Sequence, residues 1–447
     1  MNDWVNAESR VEKAHRLYAQ GRWAEAAAEL RAAIEVNPDN AAWHFNLALA
    51  LEAMDDYERA CESFRSALAL EPHDVETLNC LGVNLTRTGH YAEALASFEK
   101  AEAVDWKYEP SYCNRIITYS EMGLHDRAEL MFYLARLVKP QCAPCYYNIG
   151  NSFYDRAQFD RAIDCWRQAL RLDRAYPQAN ARIAEAYWAK GDLARARRHF
   201  RAELRADPED VATLLDYGEL LMELNEPAQA EKAFRRALVA CPGSVEAHFC
   251  LGEAAIRQDR LAAAEKEFRL VLQADPRFPG VNARMGQILL RRRDVRQAVR
   301  HLLIELKGCG DDPGMLQELA QLFMEARRAR RANSVLKRLV SIWPRDPQAR
   351  HNLAVSFFML HRVEDGIRQC RKALKLKPDY SLALYNLALA HLQQGRVARA
   401  RRYASRALVV EPGNQRIRQL ASHLGIMGFW ARLRNRLNGH KRRGLRD

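Results

Sequence analysis

Residues 143–176, APCYYNIGNSFYDRAQFDRAIDCWRQALRLDRAY, hold the pattern that decides the fold. Tyr146, Ile149, Gly150 and Phe153 follow helical spacing, and Phe159, Ala162, Trp166 and Ala169 do so a second time. Two short helices folded into a hairpin account for both runs. Working outward in steps of 34 residues, Ala162 belongs to a column of twelve small residues: Ala26, Ala60, Ala94, Ala128, Ala162, Ala196, Ala230, Ala264, Ala298, Ala332, Gly366 and Ala400. Trp166 belongs to a second column, Leu30, Phe64, Phe98, Phe132, Trp166, Phe200, Phe234, Phe268, Leu302, Leu336, Cys370 and Ala404. Gly150 belongs to a third that is Gly or Ala from Ala14 to Ala388, broken by Ile116. A fourth is proline at Pro38, Pro72, Pro140, Pro208, Pro242, Pro276, Pro344, Pro378 and Pro412, with Trp106, Arg174 and Gly310 as exceptions.

Each column has a physical reason. Small residues let two antiparallel helices approach closely within a hairpin. The large side chain is expected to fill the space between that hairpin and the next. Proline lacks an N–H and clashes with the preceding turn, so it closes the second helix. Gly21, Gly89, Gly123, Gly191 and Gly395 stand midway, where the first helix must stop.

These columns resemble the tetratricopeptide repeat family, over 408 of 447 residues without insertion or deletion. The resemblance implies an all-α fold, a right-handed α-solenoid (superhelix) of about twelve 34-residue helix-turn-helix units plus a C-terminal capping helix. The units are 7–40, 41–74, 75–108, 109–142, 143–176, 177–210, 211–244, 245–278, 279–312, 313–346, 347–380 and 381–414. An N-terminal extension, 1–6, precedes them; a capping helix at 415–428 and a basic amphipathic tail at 429–447 follow.

Composition narrows the function. No stretch reaches the roughly 18–20 apolar residues of a membrane-spanning helix, and mean hydropathy is −0.41. The N-terminus, MNDWVNAESRVEK, lacks the basic and apolar regions of a secretory signal, so a cytoplasmic location is expected. The ten cysteines are spread singly through helical sequence, and most read as buried free thiols. Cys142-Ala143-Pro144-Cys145 is the one CxxC, with no second pair or histidines at zinc spacing near it. No metal and no cofactor are therefore expected. The net charge of +13 is divided: residues 1–250 carry 29 basic and 39 acidic side chains (−10), residues 251–447 carry 40 and 17 (+23). No phosphate loop, nucleophile elbow or paired metal motif is present, and an enzyme is not expected.

In the family resembled, the first helix of each hairpin lines a concave groove that holds peptides. Carried onto this sequence, the groove starts aromatic and amide-rich at Phe45, Asn46, Asn79, Asn114, Tyr147, Asn148, Asn151 and Tyr154, and resumes at Asn352, Phe358, Tyr385 and Asn386. Asparagine donates and accepts at once, so such a row can grip a peptide backbone; it can equally brace neighbouring helices. Glu185, Asp216, Glu219, Glu223, Glu246 and Glu253 form an acidic zone suited to a basic segment. Co-chaperones of the family carry lysine at the unit's fifth position. Here it reads Val11, Phe45, Asn79, Cys113, Tyr147, Ala181, Leu215, Phe249, Ala283, Gln317, His351 and Tyr385, so a clamp for a chaperone tail is not expected. Arginines 291–293, 327, 328, 330 and 331 fall at inter-helix turns and read as a solvated basic rim. The tail adds Phe429, Trp430, Arg432, Arg434, Arg436, Lys441, Arg442 and Arg443, a short basic amphipathic segment able to lie on an anionic membrane or acidic partner.

The expected function is a protein-interaction scaffold or adaptor that binds an extended peptide, or organises a complex, through this groove. The alternatives are the recognition subunit of a separate-chain enzyme or secretion system, and binding of anionic membrane or nucleic acid by the basic half. Nucleic acid is the less favoured, because no stacking platform interleaves with the arginines. No small-molecule substrate is expected.

Overall fold

The structure is a computed structural model that describes residues 2–425. Among the described residues every regular element is helical. The described residues form two compact units that divide between Ala240 and Cys241.

The first unit stacks seven hairpins: α1 (Asn2–Ala19) with α2 (Trp23–Val36), α3 (Ala41–Glu52) with α4 (Tyr57–Leu70), α5 (Val75–Arg87) with α6 (Tyr91–Val104), α7 (Glu109–Glu121) with α8 (His125–Val138), α9 (Ala143–Asp155) with α10 (Phe159–Leu172), α11 (Ala179–Ala189) with α12 (Leu193–Ala206), and α13 (Val211–Glu223) with α14 (Pro227–Ala240). The second unit adds α15 (Val245–Arg257) with α16 (Leu261–Ala274), α17 (Val281–Arg291) with α18 (Val295–Gly308), α19 (Pro313–Glu325) with α20 (Ala329–Ile342), α21 (Pro347–Met359) with α22 (Val363–Leu376), and α23 (Ser381–Gln393) with α24 (Val397–Val410); α25 (Gln415–His423) packs on α24. Ile417 and Leu420 of α25 are buried, as a capping helix requires. The tail residues Arg432, Arg434, Arg436, Lys441, Arg442 and Arg443 lie outside the described residues.

The helix ends follow the sequence columns. Each first helix stops at a left-handed residue: glycine at Gly21, Gly89, Gly123, Gly191 and Gly395, but Asp55, Ala157, Asn225, Asp259, Arg293, Arg327 and His361 elsewhere. Asn40, Asp74, Asp210, Ser244, Asp312 and Asp346 cap the following first helices with a side-chain oxygen, and Asn414 caps α25 in the same way.

The large-residue column reaches both ways: Phe132 meets Tyr146 of the next hairpin at 5.1 Å and Phe200 lies 6.3 Å from Tyr217 of the next, as expected, while rings of the column also fill sockets inside their own hairpins. A Cβ added to Gly82 would stand 2.6 Å from the Phe98 ring, one on Gly150 2.5 Å from Trp166, and one on Gly252 2.5 Å from Phe268. The missing side chain on one helix makes the socket for the ring of its partner sixteen residues on, and Phe98, Trp166 and Phe268 are wholly buried. Phe358, expected on the groove face, follows the same rule in reverse. Its half-buried ring sits over Gly366, because Cys370 leaves the large-residue position short of volume.

Two hairpins start differently. Pro177 and Pro279 delay the first turn, and Gln178 and Gly280 take φ of 66° and 84° before α11 and α17 begin. The exposed backbone donors are met from the second helix of the same hairpin. Glu203 on α12 accepts from the N–H groups of Gln178 (2.8 Å), Asn180 (3.0 Å) and Ala181 (3.3 Å). Glu305 on α18 accepts from Gly280 (2.8 Å), Asn282 (3.0 Å) and Ala283 (3.2 Å). A buried carboxylate at a helix N-terminus satisfies orphan donors and the helix dipole together. Both second-helix histidines add a bond: His199 to Asn180 (3.0 Å) and His301 to Asn282 (2.8 Å).

Candidate functional site

In the first unit the asparagines brace one first helix against the next. Asn46 Nδ2 is 3.2 Å from His15 Nε2 on α1, Asn114 Nδ2 donates to Asn79 Oδ1 (2.9 Å), and Asn148 Nδ2 donates to the Cys113 carbonyl (3.4 Å). Asn151 accepts from Trp166 Nε1 (3.1 Å). Of the two roles open to these amides, bracing is therefore present. An amide carries two N–H donors and a carbonyl with two lone pairs, so one such bond leaves capacity for a ligand. Phe45 meets core Phe64 edge-on at 5.6 Å, and Tyr147 packs on Tyr176 at 5.0 Å.

Two concavities open on this face. One of about 330 Å³ is lined by Ile117, Ser120, Glu121, Asn148, Asn151 and Asp155. The other, about 610 Å³, is lined by Tyr154, Arg182, Glu185, Trp188, Ala189, Asp216 and Glu223. Its acidity is partly met from within: Arg182 donates to Glu185 (2.9 Å), and Trp188 Nε1 donates to Glu223. Burial, then the Glu185 and Glu219 carboxylates, push Asp216 up to about 6 against the pull of Arg182.

In the second unit the expected acidic zone changes character. Glu246 is exposed, whereas Glu253 lies in a half-buried ion triad in which Arg284 joins it to Glu318. Arg284 thus offsets part of the negative charge that Glu253 brings to the acidic zone. Farther on, Asn386 Nδ2 lies 2.8 Å from His351 Nε2, and Asn352 Oδ1 lies 3.3 Å from His351 Nδ1, so amide bracing recurs. Tyr385 is half-buried against the core of the last hairpins. A separate cavity of about 560 Å³ is lined by Arg296, Arg300, Arg327, Arg328, Arg330 and Arg331 with Val299, Leu303 and Leu360.

The cysteines also differ from expectation. Three of the ten converge: Cys113 and Cys145 form a disulfide, and Cys142 Sγ lies 3.4 Å from Cys113 Sγ. Glu109, one turn before Cys113 on α7, faces all three sulfurs. Reading the CxxC alone missed this, because its companions stand about one repeat earlier in the chain. The unit register, which stacks equivalent positions of neighbouring first helices, was the signal that could have found them.

Family models described as tetratricopeptide repeat match residues 11–75, 147–211, 215–277, 318–381 and 360–416, and a further one matches 75–101. The peroxisomal targeting signal receptor of Yarrowia lipolytica is 27% identical over 164 residues, 34% of this chain and 27% of that protein. The probable UDP-N-acetylglucosamine–peptide N-acetylglucosaminyltransferase SPINDLY of Hordeum vulgare is 27% identical over 128 residues, 27% of this chain and 14% of that protein. The matched stretches thus span about a quarter or less of these relatives. Among solved structures, yeast Tom70 aligns at a TM-score of 0.44 with 13% identity, over 96% of both chains. The Cut9 and Hcn1 hetero-tetramer of the APC/C aligns at 0.44 and 13%, over 92% of this chain and 95% of that one. No described helix is long and apolar enough to cross a membrane.

Proposed function

This chain belongs to the tetratricopeptide repeat family, and from that premise we propose that it is a non-catalytic scaffold or adaptor, cytoplasmic, that holds an extended polypeptide on the first-helix face of its first unit. The observation that carries the reading is the adjoining pair of concavities on that face. The first offers the amides of Asn148 and Asn151, which suit the donors and acceptors of a peptide backbone. The second offers Tyr154, Trp188, Glu185, Asp216 and Glu223, which suit a cationic side chain over aromatic surface. The segment held is therefore basic at the part that meets α11 and α13. The relative named as a targeting signal receptor gives a precedent for such repeats in a receptor.

The test is selection of random displayed peptides on the full chain, followed by fluorescence anisotropy with those enriched. Lys/Arg-containing peptides should be enriched and should lose affinity in Asn148→Ala/Asn151→Ala and in Asp216→Asn, with affinity kept when residues 426–447 are removed. Enrichment of acidic peptides, or binding indifferent to these substitutions, rejects the reading.

A second reading rests on the second unit. None of the six arginines lining its 560 Å³ cavity is ion-paired to a carboxylate among the described residues. Such a cluster suits an anionic partner, and its binding would weaken steeply with salt. Arg328→Gln/Arg331→Gln should abolish heparin retention there and leave peptide binding by the first unit intact; unchanged retention removes this reading.

A further inference from the structure

We propose that the reduced cluster Glu109, Cys113, Cys142 and Cys145 is a zinc site that staples α7 to α9. The four donor atoms lie within 4.8 Å of one another. They come from two rigid places. Glu109 and Cys113 are one helical turn apart on α7, so both face the same way. Cys142 is the N-cap of α9 and Cys145 lies in its first turn. All three cysteines are at most 4% exposed, which shields the site from competing water.

The donor set is that of a structural zinc ion. Three thiolates and one carboxylate satisfy a tetrahedral, borderline-soft cation, with Zn–S near ~2.3 Å and Zn–O near ~2.0–2.2 Å. Such bonds set neighbouring donors about 3.5–3.8 Å apart. Here Cys113 Sγ is 3.4 Å from Cys142 Sγ, and Glu109 Oε1 is 3.0 Å from Cys113 and 3.1 Å from Cys145. On loading, the Cys113–Cys145 pair must separate, and Cys142 Sγ, 2.5 Å from Glu109 Oε1, must draw back by about 1 Å. The surroundings offset the negative charge of three thiolates. The Cys145 N–H donates to Cys142 Sγ (3.2 Å), Lys139 Nζ stands 3.7 Å from Glu109 Oε2, and the positive end of the α9 dipole faces the cluster.

The Cys113–Cys145 disulfide and the metal exclude each other, since both use the same two sulfurs. Reduction breaks the S–S bond and gives two thiols: a dithiol supplies two electrons and two protons and is itself oxidised to a disulfide, whereas a phosphine supplies the two electrons and water the two protons, the water oxygen ending on the phosphine oxide. Zinc then binds the three sulfurs and the Glu109 carboxylate and displaces three thiol protons to solvent. Both forms tie α7 to α9. The site also adjoins the groove: the Cys113 carbonyl holds Asn148, and Asn114 follows Cys113 in sequence.

The experiment uses the full chain, reduced with a phosphine without oxygen until all ten thiols titrate. Co²⁺ is then added, and Zn²⁺ after it. The expected result is one equivalent of Co²⁺ with the intense visible bands of tetrahedral thiolate coordination, bleached by one equivalent of Zn²⁺. Cys113→Ser and Cys142→Ser should lose those bands, and Glu109→Gln should shift them. Cys370→Ser, a lone buried thiol, should change nothing. Serine retains an N-cap acceptor at position 142, so that variant should stay folded by circular dichroism; should it not, Glu109→Gln alone decides. The oxidised chain should take up no metal. Absence of bands in the reduced chain, or bands unchanged in folded Cys113→Ser, Cys142→Ser or Glu109→Gln, would overturn the proposal.

Discussion

Replacing Glu203 with alanine removes a carboxylate that is 4% exposed and accepts three backbone N–H bonds at the start of α11. A hydrogen bond to a charged acceptor contributes about 1.5–3 kcal/mol, but three on one carboxylate do not add. Water also reaches some of the freed donors. Each neutral N–H left unsatisfied away from water costs about 1–3 kcal/mol, so about 3–5 kcal/mol in all is the loss expected for Glu203→Ala. Glu203→Gln keeps an acceptor and loses the charge, so about 1.5–3 kcal/mol is expected. Because a repeat array buries each hairpin only against its neighbours, the loss should be local. Native-state hydrogen exchange should therefore show α11 and α12 opening more easily by this amount, with α3 and α4 unaffected. Glu305→Ala repeats the experiment in the second unit through the equivalent bonds to Gly280, Asn282 and Ala283. Glu209→Ala, an exposed carboxylate in the next turn, is the control and should stay within about 0.5 kcal/mol. If Glu203→Ala protects α11 as well as the control does, the capping argument is wrong.

Three other outcomes follow from the same structure. Gly82→Ala should cost about 1–3 kcal/mol because its Cβ would press on Phe98, and Phe98→Leu in the same chain should recover part of it; a double-mutant cycle without coupling would contradict the socket. Affinity for a cationic peptide should rise with pH through about 6, as Asp216 ionises among Glu185, Glu219 and Glu223 beside Arg182, and Asp216→Asn should flatten that profile. His391 is fully buried, stacked on Tyr403, with both ring nitrogens unbonded, and burial and then nearby arginines lower its pKa. Its folded pKa lies below the unfolded value of about 6.5, so its contribution is complete above that pH and is lost as pH falls toward the folded pKa. His391→Phe should raise the melting temperature of the second unit and shallow its acid limb; a lower melting temperature at neutral pH speaks against this.

Much of the fold was legible because hairpin contacts are local and recur. Ala162, Gly150 and Trp166 each announce a place in the unit through eleven equivalents. What escaped the reading depends on contacts between units or on exceptions to the period. Glu203 and Glu305 look like ordinary surface carboxylates until Pro177 and Pro279 delay the following helices. Arg284 changes the meaning of Glu253 from one repeat away, and Phe358 is drawn inward by Gly366 and Cys370. The asparagine column was found by position, yet its bonds to Asn79, Cys113 and His351 required the stacking of first helices. Glu109 and Cys113 reach Cys142 and Cys145 by that same stacking.

The central claim is that the first-helix face of the first unit holds a basic, extended segment. A photo-crosslinking amino acid placed at Asn151, at Trp188, or at the exposed second-helix residue Leu137 tests it most directly, with a selected Lys/Arg-containing peptide as ligand. The account predicts cross-links from positions 151 and 188 and none from 137, with Asp216→Asn weakening the yield at 188. Cross-links from 137 alone, or equal yields at all three positions, would contradict it.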